Sequence, residues 1–313
     1  MGFLSANLSE IRIKSEGKVL IKQAFNAVVP SFIMMFVGYI YGKLFKEDIT
    51  LFNKIATWLM APIVTFAFMN DYIPTAGVLL RYGIGFSVMF AISFLISRLH
   101  KEDREIFFTG NVYVNSGYLG YPVLMALWGE KALALGVVYS FVNVLVGSTL
   151  LPALIRGKLE VRNILKLPFL YAIILGWGFG IAGISYKQLP GGVLTAFNWL
   201  KEMAIPFLLL QVGLGISRIK FETSEIKGYS LVIVERLLLI PLMLLPIAFF
   251  FEPLEAKVFL LECAMPIGVN SVVVIGAFKK ELVPKAGMTV ALTTLFSLVT
   301  LPFWAYVIEK IFG

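Results

Sequence analysis

Two segments of this 313-residue chain hold most of the residues that could do chemistry. One reads Gly110-Asn111-Val112-Tyr113-Val114-Asn115-Ser116-Gly117-Tyr118-Leu119-Gly120-Tyr121-Pro122. The other reads Glu262-Cys263-Ala264-Met265-Pro266-Ile267-Gly268-Val269-Asn270-Ser271. Each lies in an apolar stretch, yet Gly, Asn and Pro at this density are poor helix material. Proline removes one backbone bond, and glycine lets the chain leave helical angles. Both segments read as discontinuous helices, which at membrane depth are tolerated only when buried or lining a cavity. Their half-helix N-termini would offer unpaired N–H groups and positive dipole ends to an anion. The candidate binding residues are therefore Asn111, Asn115, Ser116, Gly117, Gly120, Pro122, Pro266, Gly268, Asn270 and Ser271. Among them Asn115 and Asn270 supply polar contacts, and Gly117, Gly120 and Gly268 allow backbone approach. The plainer alternative is a pair of kinked packing helices whose Asn side chains bridge neighbours.

A third chemical feature is Glu262, four residues before Pro266 and so within about one helical turn of it at a rise of ~1.5 Å per residue. Carbonyls freed beside a break can join a carboxylate to bind Na⁺, and a desolvated Glu can instead carry a proton. A structural pairing of Glu262 is the alternative. Glu235 and Arg236 lie deep in another apolar stretch, where ionisable groups are expensive and point to pairing or transport. Lys201 and Glu202 fall near a span end, where snorkelling accounts for them. Cys263 reads as a small packing residue and His100 as a solvated loop position. One Cys and one His exclude a disulfide framework and most metal sites, and no cofactor is expected. The chain lacks a Walker A motif, a G-x-S-x-G and a His-rich metal motif, which argues against an ATP-driven pump or an embedded enzyme.

The elements that must position these residues follow from composition. Hydrophobic residues are 59% of the chain, above the ~45–50% usual in soluble domains. Charged residues are 15%, below the usual ~25%, and mean hydropathy is +0.87. Such a chain belongs in a bilayer. The net charge of +8 is scattered between apolar runs, which suits lipid head groups and topology better than nucleic acid. Ten runs near the ~20 residues a spanning helix needs cover 24–44, 51–70, 76–97, 106–128, 131–155, 164–184, 192–216, 227–251, 256–278 and 284–311. Residues 1–20 form a tail without signal-peptide features, expected as an interfacial helix. Tail-side segments carry 9 Lys and Arg against 16 in the opposite loops, so both termini are expected outside the cytoplasm of a cell-membrane protein.

An internal repeat organises the runs. Pro30, Gly38 and Gly42 match Pro168, Gly176 and Gly180 at an offset of 138. Pro62 matches Pro206, Val114-Asn115-Ser116 matches Val269-Asn270-Ser271, and Leu151-Pro152 matches Leu301-Pro302. Five runs is an odd number, so the second copy enters the membrane from the other side, as in many secondary transporters. The expected fold is an all-α membrane protein of ten transmembrane helices in two inverted five-helix repeats, 21–155 and 164–313, joined by a cytoplasmic linker at 156–163. Gly38-x-x-x-Gly42 and Gly176-x-x-x-Gly180 are expected to allow close helix packing.

Gly110-Asn111, Asn115, Gly117, Leu119-Gly120 and Pro122 together resemble the fourth-span signature of the auxin efflux carrier family, which includes plant auxin carriers and bacterial organic-acid carriers. Ala264-Met265-Pro266 with Val269-Asn270-Ser271 resembles its ninth span, and Ala204-Ile205-Pro206 with Gly213 its seventh. Val114 stands where plant members have Pro. The resemblance implies broken helices four and nine crossing at a central site, a mobile domain of helices three to five and eight to ten, and a homodimer built on the remaining helices. It also implies a secondary transporter that exports or exchanges a small organic anion, auxin-like or dicarboxylate-like, by alternating access. Na⁺- or H⁺-coupled symport is the alternative, with a channel or a membrane enzyme further behind.

Overall fold

In a bilayer the backbone has no partner but itself, so apolar runs of this length fold as helices. The computed structural model describes residues 2–46, 48–100, 103–156, 165, 167–219 and 226–313, and side chains over a narrower set. The described residues are 86% helical and contain no strand. In chain order the helices are α1 (Gly2–Leu44), α2 (Thr50–Asp71), α3 (Ala76–Ser97), α4 (Arg104–Val112) and α5 (Tyr121–Arg156). They continue with α6 (Pro168–Ile181), α7 (Gly191–Ser217), α8 (Ile226–Val234 running on to Ala248), α9 (Pro253–Cys263), α10 (Asn270–Phe278) and α11 (Val283–Phe312).

Among the described residues, seven helical stretches are long and apolar enough to cross a membrane. Ten runs were expected, and the difference has local causes. The fourth and ninth runs are each cut in two, leaving α4 with 9 residues, α9 with 11 and α10 with 9. The sixth run yields only the 14 residues of α6. The second half of the fourth run continues into the fifth across Gly129, whose φ of 78° is open to glycine and strained for other residues. The tail is no separate element: α1 runs through residue 20 without a break. The linker at 157–163 lies outside the described residues.

Three helices widen into a π turn, at Ala56–Met60, Ser116–Gly120 and Glu235–Leu239. Each turn ends two residues before a proline: Pro62, Pro122 and Pro241. A proline has no N–H for the carbonyl four residues back, so the helix loosens just ahead of it. For Pro241 that carbonyl belongs to Leu237, and the Trp304 indole N–H donates to it at 2.7 Å.

Glycines bring two helix pairs to backbone contact. A Cβ at Gly38 would collide with the Leu210 carbonyl oxygen, and one at Gly213 with that of Met35. Thus α1 lies directly on α7. Gly176 and Gly180 seat α6 against α2 in the same way, a Cβ falling 2.9 Å from the Phe66 oxygen and 2.8 Å from that of Asn70. The expected glycine packing is present and lies within one protomer, so these faces offer no argument for a dimer.

Candidate functional site

The site begins where α4 and α9 stop. After Val112 the chain turns extended at Tyr113 (φ −89°, ψ 93°) and resumes as the π turn from Ser116. After Cys263 it stays non-helical until Asn270. The two breaks satisfy each other. Asn115 N–H donates to the Pro266 carbonyl at 2.9 Å, and Gly268 N–H to that of Tyr113 at 2.8 Å. Val114 and Ile267 form an antiparallel bridge between them. Glycine makes the approach possible: a Cβ at Gly110 would stand 2.7 Å from Ile267 Cδ1, and one at Gly268 3.0 Å from the Val114 oxygen.

Long helices brace the breaks from behind. Asn143 Nδ2 of α5 donates to the Val112 carbonyl at 2.9 Å, and Thr293 Oγ1 of α11 accepts the Ile267 N–H at 3.2 Å. Asn143 and Thr293 each stand eight residues before a Leu-Pro pair, and Val112 and Ile267 each stand two before a Val-Asn-Ser. Equivalent positions in the two halves therefore do equivalent jobs. Neither brace was read from the sequence, although that matched spacing could have found both. Asn143→Ala would orphan a buried carbonyl and should lower unfolding stability by about 1–3 kcal/mol, measurable by denaturant titration in detergent.

Arg236 enters from the π turn of α8 and has no exposed surface. Its Nε donates to the Met265 carbonyl at 2.9 Å, its Nη1 to that of Asn111 at 3.1 Å, and its Nη2 to that of Cys263. Its neighbour Glu235 takes a different partner: Oε1 lies 2.7 Å from His100 Nε2. The His100 ring stacks on Phe107 at 3.4 Å. This corrects the reading of His100 as a solvated loop residue, because one apolar ring and one carboxylate in reach hold the imidazole in place. Cys263 is a buried packing residue beside Met89, as expected. Lys201 lies ten residues inside α7, not at a span end as expected, and its Nζ donates to the Tyr186 hydroxyl at 3.1 Å.

A cavity of about 330 Å³ opens against the first break. Asn115, Ser116, Gly117 and Tyr118 line it at the start of the resumed helix, with Gly268 and Val269 from the second break. Thr57, Ala61 and Thr65 of α2, Pro168 and Phe169 of α6, and Leu208 of α7 form the facing wall. No charged side chain lines it among the described residues. Three residues on its wall carry a buried polar atom without a partner: Asn115 Nδ2, Thr65 Oγ1 and the Tyr121 hydroxyl. The first-turn N–H groups at Ser116–Tyr118 have no carbonyl one turn back to bond, so they too are available.

The expected site residues therefore divide. Asn115, Ser116, Gly117 and Gly268 share the cavity wall. Asn111, Gly120, Pro122, Pro266 and Ser271 do not line it. Asn111 and Pro266 act through their carbonyls, and Pro122 shapes the π turn. Ser271 is buried with an unpartnered hydroxyl. Asn270 opens α10, and its side chain lies outside the described residues. Thr65, Ser140 and Asn143 were not anticipated; Ser140 donates to Ser116 Oγ at 2.7 Å. Glu262 has no exposed surface, and neither of its carboxyl oxygens has a hydrogen-bond partner. They lie 2.6 and 2.9 Å from where a Cβ would stand at Gly120.

Bilayer-length helices, two interrupted helices joined at their breaks and a cavity at that junction describe a multi-pass membrane transporter. The chain belongs to the membrane transport protein family, the auxin efflux carriers, whose profile matches residues 23–166 and 155–305. It is 27% identical over 305 residues to an uncharacterized transporter of Methanothermobacter thermautotrophicus, covering 90% of this chain and 97% of that protein. It is 22% identical over 297 residues to an uncharacterized transporter of Methanocaldococcus jannaschii, covering 88% of this chain and 96% of the relative.

Proposed function

We propose that the protein is a secondary carrier that moves a small organic anion by alternating access, binding it where the two broken helices cross. The observation that carries this reading is the donor set of the cavity. Asn115 Nδ2 and Thr65 Oγ1 are buried without partners, beside a helix start whose dipole end is positive. An anion placed there would satisfy donors that otherwise cost free energy. Phe169, Leu208, Val144 and Val274 offer the same occupant an apolar wall. A carboxylate on a small apolar body fits both halves. The matched braces Asn143 and Thr293 support the inverted five-helix repeat, with α1, α2, α6 and α7 as its frame and α3–α5 and α8–α11 as its moving part.

The test is counterflow of labelled monocarboxylates and dicarboxylates in proteoliposomes, following a thermal-shift screen of the same compounds. Saturable exchange is expected. Unsaturable flux would indicate a channel, and chemical conversion an enzyme. Asn115→Ala should weaken binding by about 1–3 kcal/mol, the cost of an unmet polar partner, or about 5- to 150-fold in Kd. Unchanged affinity would move the site elsewhere. The 16-to-9 excess of Lys and Arg in the opposite loops supports both termini outside the cytoplasm, and single cysteines in the 156–166 loop should then react only from the cytoplasmic side. The family resemblance supports a homodimer, which a detergent-corrected mass of one chain would refute.

One observation favours coupling to protons. Glu262 sits beside the junction with both carboxyl oxygens buried and unbonded. An ionised carboxylate there would be an unpartnered buried charge, whereas a carboxylic acid would be an ordinary buried polar group.

A further inference from the structure

A guanidinium stripped of water is among the most expensive groups to bury in a membrane protein. Arg236 is fully buried, yet among the described residues it pairs with no carboxylate. All three of its bonds go to backbone carbonyls, those of Asn111, Cys263 and Met265. Asn111 lies in the last turn of α4, Cys263 ends α9, and Met265 lies in the second break. Carbonyls at a helix C-terminus have no N–H one turn on to accept, and they carry the negative end of the helix dipole.

Two such ends meet here, and the guanidinium lies between them. Carbonyl oxygens converging from two broken helices are also the donor set that gathers a free monovalent cation at an unwound helix. We infer that Arg236 is a tethered cation: it occupies, attached to α8, the carbonyl cage that a free Na⁺ would otherwise fill. An arginine suits the task better than a lysine, because its planar fork aims separate N–H groups at carbonyls in different directions. Pro241 contributes by loosening α8 into the π turn from which the side chain projects. The junction then carries a fixed positive charge without recruiting an ion. If the protein is the carrier proposed above, its flux requires no Na⁺. The cage itself does not depend on that reading.

The experiment uses the full chain in detergent and follows thermal unfolding in sodium, potassium, choline and ethylguanidinium chlorides at matched ionic strength. Wild type should unfold at one temperature in sodium, potassium and choline, and its lower value in ethylguanidinium, a mild denaturant, is the baseline for the variants in that salt. Arg236→Met, which keeps the stem about as far as Nε and removes the charged head, should unfold at least about 5 °C lower in choline. It should recover half or more of that loss in sodium or ethylguanidinium. Arg236→Lys keeps a charge and serves if the uncharged variant does not fold; it should melt below wild type by the same margin in all four salts. Wild type or Arg236→Lys stabilised selectively by sodium or ethylguanidinium would show that the side chain does not fill the cage. Arg236→Met recovering with neither ion would reduce Arg236 to a packing residue. Either result overturns the inference. Where counterflow is found, replacing Na⁺ by choline on both sides should leave its rate unchanged. Where none is found, unfolding still decides the cage, so the two readings fail separately.

Discussion

Gly213→Ala should destabilise the protein by about 3 kcal/mol, the upper end of what overpacking costs. The added methyl would meet only backbone: the Met35 carbonyl oxygen, Met35 C at 2.7 Å and Tyr39 N at 2.8 Å. A side chain in the way could rotate, but a helix backbone moves only by displacing α1 as a whole. Gly38→Ala attacks the same contact from the other side, meeting Leu210 C at 2.9 Å and Leu210 Cα at 3.0 Å. The double variant should cost less than the sum of the two, because spreading the helices for one methyl makes room for the second. Gly215 is the internal control. It lies two residues further along α7, and a Cβ there meets nothing within 4 Å. Gly215→Ala should therefore be neutral or stabilising by about 0.5–1 kcal/mol, the helix-propensity difference alone. Denaturant titration of all four variants in one detergent checks the pattern. Equal effects at Gly213 and Gly215 would show that α1 and α7 do not touch at this register.

The positions of the breaks were legible because Gly, Asn and Pro leave the backbone little choice at Gly110–Pro122 and at Pro266–Gly268. Glycine packing was legible for the same reason: at Gly38 and Gly176 the absence of a side chain is itself the signal. Which side chains serve the breaks was not legible. Asn143 and Thr293 are ordinary polar residues inside long apolar helices, and only the meeting of the breaks gives them a partner. Arg236 showed the chemistry of a charge at depth, but its three acceptors are carbonyls of Asn111, Cys263 and Met265, groups every residue has. His100 was misread because its loop is charged, while its ring finds Phe107 and Glu235 from other parts of the chain. Local rules place what the backbone must do; partners far along the chain are fixed by packing.

Glu262→Gln should leave the protein folded and able to exchange substrate at equal pH, and should abolish the part of uptake driven by a pH gradient. The reasoning starts from shape. The Glu262 carboxyl is accommodated because Gly120 and Gly136 carry no side chain; a Cβ at Gly136 would lie 3.2 Å from its Oε1. Gln fills the same volume, so the packing survives while the exchangeable proton is lost. The ionisable groups that face Glu262 are Arg236 of α8, Tyr82 of α3, Tyr121 and Tyr139 of α5, and the adjoining Cys263. Arg236 already gives its bonds to three carbonyls, and no tyrosine hydroxyl is bonded to the carboxyl. On the proposed reading, a group that stabilised an ionised Glu262 would have to arrive or approach during transport, which is how a binding event can be tied to proton release. Gly120→Ala offers a steric companion, since its methyl would press on the carboxyl from 2.6 Å. It should slow gradient-driven uptake more than equal-pH exchange. The decisive readout is labelled-substrate uptake into proteoliposomes with and without an imposed pH gradient. Gradient-driven accumulation by the wild type, absent in Glu262→Gln, supports the assignment. A wild type indifferent to the gradient would remove Glu262 from coupling and leave a uniporter driven by the substrate gradient and the membrane potential.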